Sequence, residues 1–311
     1  MGCRLSAPDY GLLLDDEVQA YIAKGATFYP PNAVDLTIEQ QRAVYDDMCA
    51  AFHAGRPAGV QTWDEPFGGV PCRRYEAGES AATLVYYHGG GFVVGGLHSH
   101  DDVCAELCAR ANLRVISVDY ALAPENPFPA CYNDAMSAFE AIASTYGGPV
   151  FMAGDSAGGN LAAAVTHQAR DRVAGQILIY PGLGGDPDKG SYVLHANAPE
   201  LTTRDMEFYK KVRMGGAQPP EGDPRFAPLQ DHDFGGLPPT VIVTAECDPL
   251  ASDGEAYRDA ITAAGGKAAW FNEAGLVHGC LRARTMSTRG AAFFDRVSNA
   301  VIALSEQRWP Y

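Results

Sequence analysis

The chain has 311 residues, of which 47% are hydrophobic and 20% charged, a balance typical of a globular protein with a large core. Its formal net charge of −15 argues against nucleic acid and anionic membrane surfaces as partners, because neither attracts an acidic protein. No apolar run is long enough to span a bilayer, and residues 1–10 lack the pattern of a secretory signal, so we expect a cytoplasmic protein. The eight cysteines form no C-x-x-C pair and no zinc-ligand spacing, which predicts free thiols and no metal site.

Residues 1–55 carry two amphipathic helical patterns, at 15–24 and 37–54. Thr37 followed three residues later by Gln40 is typical of a capping box at the start of the second helix. Amphipathic helices ahead of the first strand must pack on something. We therefore expect this segment to cover the body of the protein.

From about Thr62 onward, apolar strands alternate with helical stretches. The predicted strands are 82–88, 113–120, 149–153, 176–180, 240–246 and 268–272, and the predicted helices are 101–111, 132–146, 160–170, 254–264 and 284–304. This order predicts an α/β class with a mostly parallel sheet that is covered by helices on both faces.

Residues 184–224 interrupt the alternation with turn-rich sequence and one helical pattern near 204–214. Such an insertion, joined with the N-terminal helices, could form a lid over the strand ends where ligands bind. We expect cap helices at 1–55, a catalytic domain at 56–183 and 225–311, and a cap insertion at 184–224.

The stretch Gly154-Asp155-Ser156-Ala157-Gly158-Gly159 lies between a predicted strand and a predicted helix. A serine at so tight a turn is held away from the backbone, and glycine is needed two residues before and after it. The following helix N-terminus favours a developing negative charge. The pattern therefore predicts that Ser156 is a nucleophile.

A nucleophilic serine needs a base and an acid that orients the base, and in this sheet class they follow in the order Ser, Asp or Glu, His. His278 follows the last strand and Asp248 follows the strand before it, so both lie at the sheet edge that carries Ser156. Other histidines fit less well: His167 lies in the helix after Ser156, and two fall in the insertion and in a polar loop, at 195 and 232. The competing acids are Asp253, which resembles a helix cap, and Glu246 and Glu273, which lie within or at the end of strands.

Oxyanion donors are predicted from His88-Gly89-Gly90-Gly91-Phe92, directly after the first long strand. Glycines let the backbone approach a substrate and leave N–H groups free, and the N–H of Ala157 would complete the hole. His88 itself is predicted to shape the loop rather than to act as a base.

Together these motifs resemble the hormone-sensitive-lipase family of α/β-hydrolases. The residues that carry the resemblance are His88 to Gly91, Gly154 to Gly159, Asp248-Pro249-Leu250, His278-Gly279, Asp119 to Glu125 and Pro127 to Ala130. The resemblance runs from about Leu84 to the end and implies an α/β-hydrolase fold with a small helical cap. It implies hydrolysis of carboxylic esters with short to medium acyl chains, a small-molecule ester as the partner, and no cofactor. It places the oxyanion donors at Gly90, Gly91 and Ala157, with Gly89 as the alternate.

Two other functions stay open from the residues alone: an amidase or deacylase on the same triad, and a non-catalytic small-molecule receptor.

Two pairs of residues, one beside the predicted site and one in the last helix, also leave alternatives open. Cys247 and Cys280 flank the predicted acid and base, and a thiol exposed there would let bulky reagents inhibit, although burial is the expected state. Phe293 and Phe294 in the last helix would suit either a homodimer or the core.

Overall fold

The computed structural model describes residues 8–30 and 32–311. Its centre is a sheet with the order β1-β2-β4-β3-β5-β6-β7-β8. The strands are β1 (Gln61–Phe67), β2 (Val70–Glu76), β3 (Thr83–Tyr87), β4 (Arg114–Val118), β5 (Val150–Asp155), β6 (Gly175–Ile179), β7 (Thr240–Cys247) and β8 (Ala268–Val277). β2 pairs antiparallel with β1 and with β4, and all the other neighbours are parallel. The predicted mostly parallel sheet is confirmed.

Helices fill the connections between the strands and precede the sheet. They are α1 (Tyr10–Leu13), α2 (Asp16–Gly25), α3 (Ile38–Phe52), α4 (Asp101–Ala111), α5 (Ala130–Thr145), α6 (Ala157–Gln168), α7 (Gly190–Leu194), α8 (Thr203–Arg213), α9 (Ala251–Ala263) and α10 (Thr288–Ser305). Short 3₁₀ turns lie at Ala33–Asp35, Pro228–Gln230 and Cys280–Thr285. At the start of α3, Thr37 and Gln40 form the predicted capping box.

Two hydrophobic cores lie on opposite faces of the sheet. Alternate side chains of β3 show the division, since Leu84 and Tyr86 join one core and Val85 and Tyr87 join the other. The first core contains buried residues of α2, α3, α4 and α10, and the second contains buried residues of α5, α6 and α9. Strands that are buried on both faces explain why the sequence shows continuous apolar runs.

The hairpin of β1 and β2 was not among the predicted strands. β1 is an edge strand whose residues are mostly exposed, and it contains Pro66, which lowers the strand signal. Its pattern therefore differs from the apolar runs by which the central strands are recognised.

Two predictions of detail are wrong. β8 continues to Val277 instead of ending near residue 272, through an irregularity opposite Ala245 and Cys247. The last helix begins at Thr288 instead of 284, because Ser287 caps it by accepting the Gly290 N–H and a 3₁₀ turn precedes it. Of the two alternatives left open for Phe293 and Phe294, core packing is the one observed, since they are buried at 0% and 1% exposure.

No helix within the described part of the chain is long and apolar enough to cross a membrane.

Candidate active site

The turn between β5 and α6 holds Ser156 in an unusual conformation. Ser156 has φ of 54° and ψ of −116°, a region that a non-glycine residue occupies only under strain. A Cβ on Gly154 would collide with the carbonyl of Gly158, and one on Gly158 would collide with the carbonyl of Tyr87. Glycine is therefore required on both sides of Ser156, as the sequence predicts.

Ser156, His278 and Asp248 form one hydrogen-bonded chain. His278 Nε2 lies 2.9 Å from Ser156 Oγ, and His278 Nδ1 lies 2.7 Å from Asp248 Oδ2. His278 directly follows β8 and Asp248 directly follows β7, so the parallel sheet delivers all three residues to the same edge. Asp248 has 0% exposure, and its second oxygen accepts the Leu250 N–H at 2.8 Å, which fixes the carboxylate.

The other acids near His278 in the sequence are occupied elsewhere. Glu246 accepts the Gly275 N–H at 2.7 Å, and Glu273 pairs with Arg296. Asp253 does not cap its own helix as expected. It lies in the first turn of α9 and accepts the Leu183 N–H at 2.6 Å and the Tyr192 hydroxyl at 2.9 Å. The sequence pattern misled because a buried carboxylate can serve the backbone of a distant loop as well as its own helix.

The other histidines do not reach Ser156. His167 lies between the Asp231 carboxylate at 2.6 Å and the Tyr257 hydroxyl at 2.9 Å. His195 contacts the Tyr10 hydroxyl at 3.1 Å, and His232 is exposed.

The glycine loop, Gly89 to Gly91, follows β3 beside the turn at Ser156. Gly90 and Gly91 have φ of 126° and 60°, so their N–H groups take directions that other residues rarely allow. Within the described residues, the backbone N–H groups of Gly90, Gly91 and Ala157 donate to no other protein group. All three remain available to a ligand.

Gly89 differs from its neighbours, because its N–H already has a partner within the protein. Its N–H donates to Asp155 Oδ1 at 2.9 Å, because Asp155 turns its carboxylate back toward the loop. Asp155 also accepts the Tyr86 hydroxyl at 2.8 Å and faces His100 Nε2 at 3.2 Å. Although burial alone would raise the pKa of Asp155, His100 and these hydrogen bonds hold it well below its usual value.

His88 shapes the loop, as the sequence suggests. Its Nδ1 lies 2.8 Å from the Gly89 carbonyl, and its ring stacks on Tyr120 with centroids 4.4 Å apart. Burial lowers the pKa of His88 to about 4, and the nearby His100 adds to this effect. A neutral imidazole locked in this way supports the backbone of the glycine loop.

The N-terminal segment and the insertion touch each other above the strand ends. Tyr29 and Tyr209 share a hydroxyl hydrogen bond of 2.9 Å, and Arg204 pairs with Asp35 at 2.7 Å. The ring of Tyr209 packs so closely on Gly91 that a Cβ there would overlap it. A side chain of the insertion therefore contacts the glycine loop directly.

Sequence reasoning missed three residues near this site: Tyr209, Glu200 and Arg282. Tyr209 and Glu200 belong to the insertion, whose irregular sequence pattern does not predict where its side chains lie relative to the sheet. Arg282 lies four residues after His278 and is 9% exposed. Its sequence context gives little signal, since a second arginine, Arg284, follows two residues later.

Both cysteines that flank the site are buried. Cys247 and Cys280 have 0% exposure, and burial raises the pKa of the Cys247 thiol to about 12. The burial that the sequence favours is therefore the state observed. Over residues 8–30 and 32–311, no three His, Cys, Asp or Glu side chains gather in a way that could hold a metal ion.

Residues 84–282 match a protein family described by the α/β-hydrolase fold. The chain is 35% identical to the carboxylic ester hydrolase LipN of Mycobacterium tuberculosis, over 94% of this chain and 84% of that protein. It is 38% identical to the carboxylesterase NlhH of the same bacterium, over 65% of this chain and 67% of that protein.

Solved structures of ester-hydrolysing enzymes are also similar to this chain. A bacterial heroin esterase superposes with a TM-score of 0.85 at 28% identity, covering 94% of this chain and 98% of that chain. An ester hydrolase from the metagenome of Lake Arreo superposes with a TM-score of 0.84 at 33% identity, covering 93% and 98% respectively.

Proposed function

Because the chain belongs to the hormone-sensitive-lipase-like family of α/β-hydrolases, we propose that it is a serine carboxylesterase for short- to medium-chain acyl esters. The observation that carries the proposal is the hydrogen-bonded chain from Ser156 through His278 to Asp248. The names of similar proteins, a carboxylic ester hydrolase and a carboxylesterase among them, support the same chemistry.

Acylation begins when His278 Nε2 takes the proton of the Ser156 hydroxyl and the oxygen attacks the ester carbonyl. Asp248 accepts the Nδ1–H of His278, which fixes the tautomer and stabilises the imidazolium that forms. The N–H groups of Gly90, Gly91 and Ala157 point at the developing oxyanion. His278 then gives its proton to the departing alcohol, and an acyl group remains on Ser156.

Deacylation repeats the same steps with water as the nucleophile. His278 removes a proton from water, the hydroxide attacks the acyl carbonyl, and the same three N–H groups stabilise the charge. Collapse of this second intermediate returns the proton to Ser156 and releases the carboxylic acid. No cofactor is needed at any step.

The N-terminal helices and residues 184–224 form the proposed cap over this site. The contacts of Tyr29 with Tyr209 and of Arg204 with Asp35 support this role, because they close the two segments on each other. The cap would set the depth of the acyl pocket and so the preferred chain length.

The test is hydrolysis of a p-nitrophenyl ester series from acetate to palmitate by the wild type and by Ser156→Ala. We expect a maximum at short chains and loss of turnover in the variant, with an unchanged circular dichroism spectrum. Activity that survives in Ser156→Ala would falsify the assignment of the nucleophile. Folded wild-type protein that hydrolyses none of the esters would contradict the proposed function itself.

A further inference from the structure

The acid of the proposed triad lies in a short turn between β7 and α9. The Ala251 N–H donates to the Asp248 carbonyl at 3.1 Å, which closes the turn, and the Leu250 N–H donates to Asp248 Oδ1 at 2.8 Å. Asp248 Oδ2 then faces His278 Nδ1 at 2.7 Å. The backbone of residues 248–251 therefore sets the direction of the carboxylate, and whatever fixes this turn also fixes Asp248.

Ser191 of the insertion binds this turn through its side chain and its backbone. Ser191 Oγ donates to the Pro249 carbonyl at 2.7 Å and accepts the Ser252 N–H at 2.9 Å. The Ser191 N–H in turn donates to Ser252 Oγ at 2.8 Å. Ser191 is 7% exposed, so water has little access to these bonds. The first turn of α7 is thus joined to the first turn of α9, directly after Asp248.

The two serines supply capping bonds that both helices otherwise lack. Lys189 at the N-cap of α7 and Leu250 at the N-cap of α9 make no side-chain capping bond. The first N–H groups of a helix have no partner within the helix, so a side chain usually accepts from one of them. Here each serine hydroxyl accepts from the N–H of the other serine. A Cβ on Gly190 would overlap Ser252 Oγ, so glycine allows the two helices to approach this closely.

A small apolar cluster joins the same turn to the insertion a second time. Leu250 is buried, and it packs in a cluster apart from the two main cores with Tyr192, Leu201 and the partly buried Met206. All three of its partners belong to the insertion. The side chain of Leu250 therefore packs against the insertion, while its N–H binds the carboxylate of Asp248.

A catalytic group must be held within about 0.5 Å of its working position by the residues around it. For Asp248, the insertion supplies two such supports: the hydrogen bonds of Ser191 and the packing around Leu250. We propose that Ser191 is a positioning residue for Asp248, which acts with Ser252 to fix the turn at residues 248–251. The insertion then directs the triad acid in addition to covering the site. This inference rests on the proposed function, because Asp248 needs a fixed direction only if His278 is the base.

Steady-state kinetics on one short p-nitrophenyl ester is the first measurement. Ser191→Ala removes the donor to the Pro249 carbonyl and the acceptor for the Ser252 N–H, so we expect kcat to fall by about tenfold. KM should change little, because Asp248 stabilises an imidazolium that forms only as the reaction proceeds. Ser252→Ala removes only the acceptor for the Ser191 N–H and should lower kcat by a smaller factor.

The second measurement needs no substrate. In protein labelled with ¹⁵N-histidine, the His278 Nδ1–H that Asp248 accepts gives a low-field proton signal, which is assigned by its loss in His278→Gln. The rate at which this proton exchanges with water reports how often the bond to Asp248 opens. We expect the exchange to be about tenfold faster in Ser191→Ala, because a turn that has lost its support opens this bond more often.

The matched control is Ser298→Ala in α10. It also removes a buried hydroxyl that donates to a backbone carbonyl, that of Phe294 in the same helix at 2.8 Å. This variant should keep the kcat and the exchange rate of the wild type. Equal losses in Ser191→Ala and Ser298→Ala would trace the effect to general stability and overturn the inference.

Wild-type kcat together with wild-type exchange in Ser191→Ala would overturn the inference directly. If Ser191→Ala does not fold, Ser252→Ala decides by the same two measurements, and wild-type values there count against the inference. If no ester is hydrolysed by the wild type, the proposed function fails. The exchange rate still decides whether Ser191 holds Asp248 against His278, so the two failures are distinguishable.

Discussion

The carboxylate of Asp155 accepts the backbone N–H of Gly89 at 2.9 Å, which ties the residue before Ser156 to the first residue of the glycine loop. The proposed nucleophile and the proposed oxyanion donors lie on different connections of the sheet, after β5 and after β3. This bond, together with the one from the Tyr86 hydroxyl, sets the distance between them. Asp155 is thus a positioning residue for the site.

Removing the Asp155 carboxylate should misplace the oxyanion donors. We expect Asp155→Ala to lower kcat by about 10- to 100-fold with a smaller change in KM, because the lost bonds position groups that act in the transition state. Asp155→Asn keeps an oxygen for Gly89 and should retain most of the activity. Steady-state kinetics on one short ester compares the two, and equal activity of both with the wild type would argue against a positioning role.

Gly91→Ala should impair the proposed oxyanion donor for two reasons. Its φ of 60° disfavours a side chain, and the added Cβ would overlap the ring of Tyr209. We expect kcat to fall by about 10²- to 10³-fold, the usual cost of losing one oxyanion donor. The double variant Gly91→Ala with Tyr209→Ala relieves the overlap but not the backbone strain.

Higher turnover in that double variant than in Gly91→Ala, with Tyr209→Ala as the reference, would show that the overlap with the ring accounts for part of the loss. Full wild-type turnover in Gly91→Ala would contradict the assignment of its N–H as a donor.

Asp253 should make the protein less stable as pH rises toward neutral. Burial raises the pKa of its carboxyl from 3.8 to about 7 in the folded state. The folded protein therefore binds this proton more tightly than the unfolded chain, and the free energy of unfolding declines as pH rises from about 4 to 7. Asp253→Asn cannot ionise and should show a shallower decline, by an amount on the order of a few kcal/mol.

Urea unfolding of the wild type and Asp253→Asn at pH 5 and pH 7, followed by circular dichroism, measures this difference. The asparagine oxygen can still accept the Leu183 N–H, so hydrogen bonding is largely preserved. Equal declines in the two proteins would show that Asp253 is ionised in the native state.

Bulky thiol reagents should leave the activity intact. All seven cysteines of the described residues are buried, Cys247 and Cys280 among them. A Cys3→Ser background removes the one thiol outside the described residues. We expect no labelling by an aromatic disulfide reagent until denaturant is added, and inhibition in parallel with labelling under native conditions would show that the site opens to solvent.

The central fold could be predicted because its signals are local. Strands buried on both faces require continuous apolar runs, and the capping box at Thr37 needs only two side chains. The β1 strand could not be recognised in this way, because an exposed edge strand is defined by its pairing with β2 and not by its own sequence. The length of β8 was underestimated for a similar reason, since a bulge against β7 lets it continue past Gly275.

The same distinction holds for the candidate site: residues with a local sequence signal could be predicted, and contacts between distant segments could not. Ser156, Asp248 and His278 were predicted because each follows a recognisable strand of one parallel sheet, where strand ends meet at a common edge. The sequence alone allows Gly89 as an alternate donor, because it cannot show that the Gly89 N–H is bonded to Asp155. Tyr209 meets Gly91 only through the fold of the insertion, so no spacing in the sequence relates the two residues.

The hydrogen bond from Tyr21 to the carbonyl of Gly279 joins residues 258 positions apart. Closing so long a segment costs conformational entropy before the contact contributes anything, and such non-local contacts slow folding. On a ribosome, α2 would be made early and would wait without its docking partner until nearly the whole chain had emerged. β8 ends at Val277, two residues before Gly279, so α2 can dock here only once the last strand of the sheet has been made.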